Sequence, residues 1–223
     1  MNNLKFALLT DGSSDQVLLR HLEWVVRRHV SPTTTIQSEW ADLRTFHPKP
    51  VGLSERIQRA SEFYPSDLLF VHRDAEKQDP QHRYNEIESA IAFLSSGVTP
   101  AVAVVPVRMQ ETWLLFDEFA IRKAAGNPNG KQDLGLPLVG KLENVAEPKA
   151  MLLQTLRTAS GLGGRRLKRF RGRKAARLVA EYIEDFSPLL ELDAFRKLDL
   201  DVQSEIQRLA CLDNEGISEA PKH

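Results

Sequence analysis

The chain has 223 residues, with 30 Lys or Arg against 30 Asp or Glu and a net charge of zero, so it can build one sizeable core, or one core plus a helical appendage. An apolar fraction of 42% and a charged fraction of 27% exclude a disordered or low-complexity chain. The single cysteine, Cys211, excludes an intramolecular disulfide and a Cys-based zinc cluster and suits a reducing compartment.

Leu4 to Leu9 is a short apolar run that stops at Thr10-Asp11-Gly12-Ser13-Ser14-Asp15, which reads as a buried strand followed by a polar turn. Val17, Leu18, Leu22, Val25 and Val26 then recur at helical spacing, with Ser13 or Ser14 as the N-cap, so Asp11 and Asp15 flank a strand-to-helix junction. Thr33 to Trp40 is β-branched enough for a second strand, and Leu53, Ile57, Ala60 and Tyr64 mark a helix that Pro65 stops. Asp67 to His72 reads as a buried strand ending in Arg73-Asp74-Ala75-Glu76. Asp79-Pro80 starts the next helix; Ile87, Ala90, Ile91 and Leu94 form its apolar stripe, and Gly97 closes it. Ala101 to Val107 is a fourth apolar strand, followed by Arg108-Met109-Gln110-Glu111 and by one helix from Trp113 to Ala125 closed by Gly126.

Strands that are apolar throughout and alternate with helices predict an α/β fold, a mostly parallel sheet flanked by helices. Residues 127–147 read as loop. Helical patterns resume after Pro148 and again at Ser187-Pro188, giving a helical C-terminal part. The expected organisation is an α/β domain over 1–126, a helical extension with a basic stretch over 127–212, and a flexible tail over 213–223. With no apolar leader at the N-terminus and no apolar run approaching about 18 residues, a cytoplasmic chain without a membrane span is expected.

In parallel sheets ligands bind outside the carboxyl ends of the strands. Asp11 falls after the first strand, Asp74 and Glu76 after the third, and Glu111 after the fourth. Carboxylates converging from separate strand ends suit Mg²⁺ or Mn²⁺, hard cations that take a few carboxylate oxygens together with water and substrate phosphate. Such an ion neutralises the repulsion among the acids and charge growing on a phosphodiester. Asp11 or Asp15 taken singly reads better as a helix cap or a solvated acid; it is the four acids at one sheet edge that favour the metal. Arg73 contacts phosphate, or pairs with Asp74 or Glu76; His72 reads as a strand residue.

The turn Asp11-Gly12-Ser13-Ser14-Asp15 after strand one, followed by the pair Asp74-Ala75-Glu76 after strand three, resembles the Toprim domain of topoisomerases, primases and OLD-type nucleases. Glu111-Thr112-Trp113-Leu114-Leu115-Phe116-Asp117 is similar to a Glu-x-Trp-Leu-Leu-x-Asp segment of bacterial Toprim-like proteins, some linked to phage defence. The resemblance spans about residues 4–125 and extends toward the Pro148-Lys149 helix. It implies a Toprim/Rossmann-like sheet and Mg²⁺-dependent breaking or joining of phosphodiester bonds. Asp11 would serve as general acid/base or ligand, and Asp74 and Glu76 as metal ligands. The family's first acid is usually Glu and the second acid of its pair usually Asp; Asp11 and Glu76 reverse those lengths.

Arg165, Arg166, Lys168, Arg169, Arg171, Arg173, Lys174 and Arg177 occupy residues 161–177, which hold no acid, whereas acids outnumber bases from Leu178 onward. Such a stretch tracks a nucleic-acid backbone through counterion release, or forms a solvated face, or pairs with the downstream acids. Trp24, Trp40 and Trp113 read as core, and Cys211 as inert. No phosphate-binding loop of the ATPase kind is present, so any ATP dependence falls to a separate ATPase subunit; homo-oligomerisation is a further option. Two alternatives to a metal-dependent nuclease stay open: a catalytically inactive scaffold that binds a partner, and a receiver-like domain with Asp74 as phosphoacceptor.

Overall fold

The structure, a computed structural model, describes residues 1–94 and 98–218, with side chains up to residue 212. Among the described residues four strands and eight helices follow in chain order: β1 (Asn3–Leu9), α1 (Leu18–His29), β2 (Thr35–Trp40), α2 (Gly52–Phe63), β3 (Leu68–His72), α3 (Pro80–Ala92), β4 (Ala101–Val104), α4 (Glu118–Ala124), α5 (Pro148–Ala159), α6 (Gly164–Lys168), α7 (Gly172–Tyr182) and α8 (Asp193–Ser218). Short 3-10 segments lie at Ser13–Val17, Leu43–Thr45, Gln110–Leu114, Val139–Asn144 and Ser187–Glu191. Among the described residues no helix is long and apolar enough to cross a membrane.

The sheet is all-parallel in the order β2-β1-β3-β4, so the chain is an α/β protein with a helical C-terminal part. β3 is buried at every residue and β1 nearly so, while the edge strand β2 alternates exposed and half-buried residues. Leu8 sits opposite Phe70 on one side and Trp40 on the other. Phe6 and Phe70 meet edge to face at 5.1 Å between ring centroids, the packing their quadrupoles favour. The strand order reverses at β1, which has β2 on one flank and β3 on the other. The carboxyl ends of β1 and β3 therefore form the topological switch point where such sheets bind ligands.

Two compact units emerge, and the chain passes between them at several points. One comprises residues 1–73, 81–104 and the chain from Lys197 onward; the other comprises Asp74–Pro80 and Val105–Arg196. In the first, α1 is tied to α8 where Arg28 Nε and His29 Nε2 approach Asp199 Oδ1 at 3.1 and 2.8 Å. In the second, α4, α5 and α7 pack on one another, and Trp113 lies edge to face on Phe195 at 5.0 Å.

Several elements depart from the sequence expectations. β4 stops at Val104, because Pro106 has no N–H to continue a ladder. The single helix expected from Trp113 to Ala125 is instead a 3-10 turn followed by α4. Asp117 caps α4 by accepting the Ala120 N–H at 2.8 Å, which fixes a start there and interrupts what precedes it. Gly126 closes α4 as expected: its φ is +78°, and Gly126 N and Asn127 N donate to Lys123 O and Arg122 O, both at 3.0 Å, the hydrogen-bond pattern of a glycine-terminated helix. Within the expected loop 127–147, Val139–Asn144 is a 3-10 segment. α8 runs to Ser218, beyond the start of the expected tail; residues 219–223, and Gly97, lie outside the described residues.

The buried aromatic pair contributes to the stability of the sheet. Replacing Phe70 by Ala should cost about 3–5 kcal/mol, read as a lower urea midpoint, whereas the same change at Phe93, a residue 84% exposed, should alter stability by less than about 0.5 kcal/mol.

Candidate functional site

In the first unit the chain becomes polar as soon as β1 ends. Thr10 is buried; its hydroxyl donates to Gly12 O at 2.8 Å and accepts the Trp40 indole N–H at 3.0 Å. Asp11, the next residue, is exposed and lies between two guanidinium groups. Arg56 Nη1 donates to its Oδ1 at 2.5 Å while Arg56 Nη2 donates to Thr10 O at 2.6 Å. Arg73, the residue after β3, reaches Asp11 Oδ2 at 3.2 Å and Glu86 Oε1 at 3.1 Å. The adjacency of β1 and β3 in the sheet makes that Arg73 contact possible. Arg73 pairs with Asp11 and Glu86, partners the sequence did not suggest.

Asp15 is buried and builds the turn. Its Oδ2 accepts the Gly12 N–H at 3.2 Å and its Oδ1 accepts the Ser14 hydroxyl at 2.8 Å. His72, the last residue of β3, is buried with Nδ1 4.0 Å from Asp15 Oδ2. Asp15 therefore holds the backbone in shape, and Asp11 presents its carboxylate outward.

The other three acids lie in the second unit. Beyond β3, Ala75 N donates to Pro106 O at 3.2 Å and Glu76 N to Arg108 O at 2.7 Å. Glu76 and Arg108 both adopt left-handed backbone, with φ of 55° and 67°, a conformation that costs a non-glycine residue about 1 kcal/mol or more. Asp74 is half-buried, and its Oδ1 accepts the Gln110 N–H at 3.0 Å. Glu111 is buried, with Oε1 3.3 Å from Lys149 Nζ at the start of α5. Burial pushes the Glu111 carboxyl above its ordinary value; the Lys149 ammonium opposes this and the nearby Asp74 charge adds to it. Asp74, Glu111 and Lys149 thus form one electrostatic group, whereas Glu76 is exposed on its strained turn. Among the described residues no group of three or more His, Cys, Asp or Glu is placed to hold a metal ion.

The basic stretch occupies α6, α7 and the turn between them. All eight of its Lys and Arg side chains are exposed, and none forms an ion pair among the described residues. Acids downstream are used locally along α8, where Asp193 pairs with Arg196, Asp201 with Lys197 and Glu205 with Arg208. Of the readings open for this stretch, pairing with the downstream acids is therefore not what the fold adopts.

Sequence reasoning missed Arg56 and the pairing of Lys149 with Glu111. Neither carries a local signal, since the partners are 45 residues apart for Asp11 and Arg56 and sit on different elements for Glu111 and Lys149. No protein-family model matches the chain, nor does any curated protein or solved structure match it significantly.

A raised carboxyl value in the folded state has a definite sign. The native state keeps the Glu111 proton where the unfolded chain has already released it, so this group's contribution to stability falls as pH rises above the ordinary Glu value. Glu111→Gln removes that titration. The stability of the variant relative to the native protein should rise as pH climbs above about 4.3, the ordinary Glu value, measured by urea unfolding at each pH; a flat difference would contradict a buried, desolvated carboxyl.

Proposed function

We propose that the chain is a divalent-metal-dependent, nuclease-type enzyme that processes phosphodiester bonds in nucleic acid on a Toprim-like domain. One observation carries the reading: a chain of zero net charge leaves eight exposed cations in a short stretch without carboxylate partners among the described residues. Like charges held together repel, and a polyanion relieves that repulsion while releasing its own counterions. The parallel order β2-β1-β3-β4, with acids directly after β1 and β3, further supports the Toprim-like reading.

The basic stretch and the Asp74–Glu111–Lys149 group belong to the same unit, and α5 packs on both α7 and the Gln110–Leu114 segment. Mg²⁺ requires only one or two protein carboxylates, the remainder of its shell being water and substrate phosphate. Asp74 and Glu111 fit that requirement without a third protein ligand; Glu76 belongs to the same unit, and Asp11, in the first unit, enters the proposal through the resemblance alone. When bound, the ion supplies positive charge against that growing on the phosphodiester. The protein's own contributions are distinct. The Gln110 N–H orients Asp74, burial of Glu111 favours its protonated form over that of an exposed glutamate, and Lys149 offsets negative charge at the same point. The basic stretch draws the strand toward acids that would otherwise repel it, with Arg73 as a further phosphate contact. A cytoplasmic setting, a separate ATPase subunit, homo-oligomerisation and a part in phage defence belong to this proposal through the resemblance and the composition.

A second reading has its own observation. Asp11 is already held by Arg56 and Arg73, and Glu111 by Lys149, an arrangement suited to a scaffold that binds nucleic acid without cutting it. The receiver-like alternative needs a fifth strand, and among the described residues the sheet has four.

Purified protein incubated with single- and double-stranded DNA and RNA in Mg²⁺, Mn²⁺ or EDTA separates these readings. Metal-dependent cleavage should fall at least about a hundredfold in Asp74→Asn and Glu111→Gln, while binding without cleavage selects the scaffold. Removing a single charge from the basic stretch, as in Arg165→Ala or Arg169→Ala, should weaken binding to all sequences and make the slope of log affinity against log salt shallower by about 1. An unchanged slope would assign that stretch to a solvated face.

A further inference from the structure

A cleft opens at the carboxyl ends of β1 and β2. It measures about 170 Å³ and is lined by Asp11, Trp40, Asp42, Arg44, Lys49 and Arg56 along with backbone and small apolar groups. A cavity of about 150 Å³ admits one benzene-sized ring, so the cleft is sized for a single planar ring.

Its walls are chemically specific. Trp40 ends β2 and is half-buried, its indole fixed by the hydrogen bond to Thr10 Oγ1 at 3.0 Å. The Arg44 guanidinium lies over that indole, 4.6 Å from the ring centroid. Asp42 grips the same guanidinium in bidentate fashion, Nε and Nη2 each at 2.7 Å. The result is a preorganised pair of flat groups, and both aromatic rings and guanidinium planes are surfaces on which unpaired bases stack. The charges sort themselves as clearly. Asp42 is satisfied by Arg44 and Asp11 by Arg56, which leaves Lys49, exposed and with no carboxylate partner among the described residues.

We infer that this cleft is a nucleotide subsite, in which one unpaired base of a single-stranded nucleic acid stacks against the Trp40–Arg44 pair with its phosphate at Lys49. The inference rests on the nucleic-acid reading above and deepens it. A base inside a duplex is stacked on both faces and cannot enter, so the subsite selects single strands or frayed ends. Asp11 lines the same cleft, so the nucleotide held there adjoins the first acid of the proposed set.

The test uses the full chain labelled with ¹⁵N, a fluorescein-tagged hexathymidylate, and an abasic hexamer of equal charge. Anisotropy reports binding, and the Trp40 indole N–H resonance, identified by its loss in Trp40→Phe, reports occupancy of the cleft. The resonance should move with hexathymidylate and much less with the abasic strand. Lys49→Glu, a change at an exposed side chain, should weaken hexathymidylate binding about tenfold. Binding that leaves the Trp40 resonance in place, an equal response to the abasic strand, or an unaltered affinity in Lys49→Glu overturns the subsite while the nucleic-acid reading stands. Failure of every oligonucleotide to bind overturns both.

Discussion

Strands buried on both faces can carry polar side chains only where they end, and the placement of chemistry in this protein follows from that constraint. β1 and β3 give up nearly every residue to the core, so each turns polar within two residues of its last rung, at Thr10-Asp11 and at Arg73-Asp74. Parallel pairing then sets those ends side by side, which is how Arg73 comes to grip Asp11 across a separation of 62 residues. A rim built this way must balance its own charge. Arg56 and Arg73 do so for Asp11; in the second unit, Lys149 does the same for the more deeply buried Glu111.

These pairings differ in what they demand. Asp11 and its arginines are partly solvated, where an ion pair contributes little and partners exchange readily. Glu111 is desolvated, so its carboxyl either keeps a proton or keeps Lys149.

The strands, most of the helices between them and the positions of Asp11 and Asp74 just beyond β1 and β3 were legible in the sequence, whereas Glu111, expected at the end of the fourth strand, lies on the Gln110–Leu114 turn well past Val104, the last residue of β4. Each depends on local pattern: an apolar run, a helical period, a Pro or Gly stop. The partners were not legible. Arg56, Lys149 and Arg44 are ordinary surface-type residues in their own segments, and only the fold gives them a carboxylate or a ring to meet. Asp117 shows the same limit on a smaller scale. Its segment carries the apolar spacing of one continuous helix, and the cap it forms with Ala120 N divides it. Trp40 reads as core because half of it is core; the other half, at the mouth of a cleft, depends on where the Leu43–Thr45 turn carries Arg44.

The backbone at Glu76 and Arg108 adds a separate argument. The two residues are joined by a hydrogen bond at 2.7 Å, and both are left-handed. That bond is entirely main-chain, so glycine at either position would keep it and relieve the strain. A glutamate and an arginine held there exact a conformational cost that nothing in the main chain requires. Strain of this kind persists where the surrounding structure fixes it, and it clusters at sites that use a side chain's position. It falls beside Asp74 and Gln110, in the same unit as the electrostatic group of Asp74, Glu111 and Lys149.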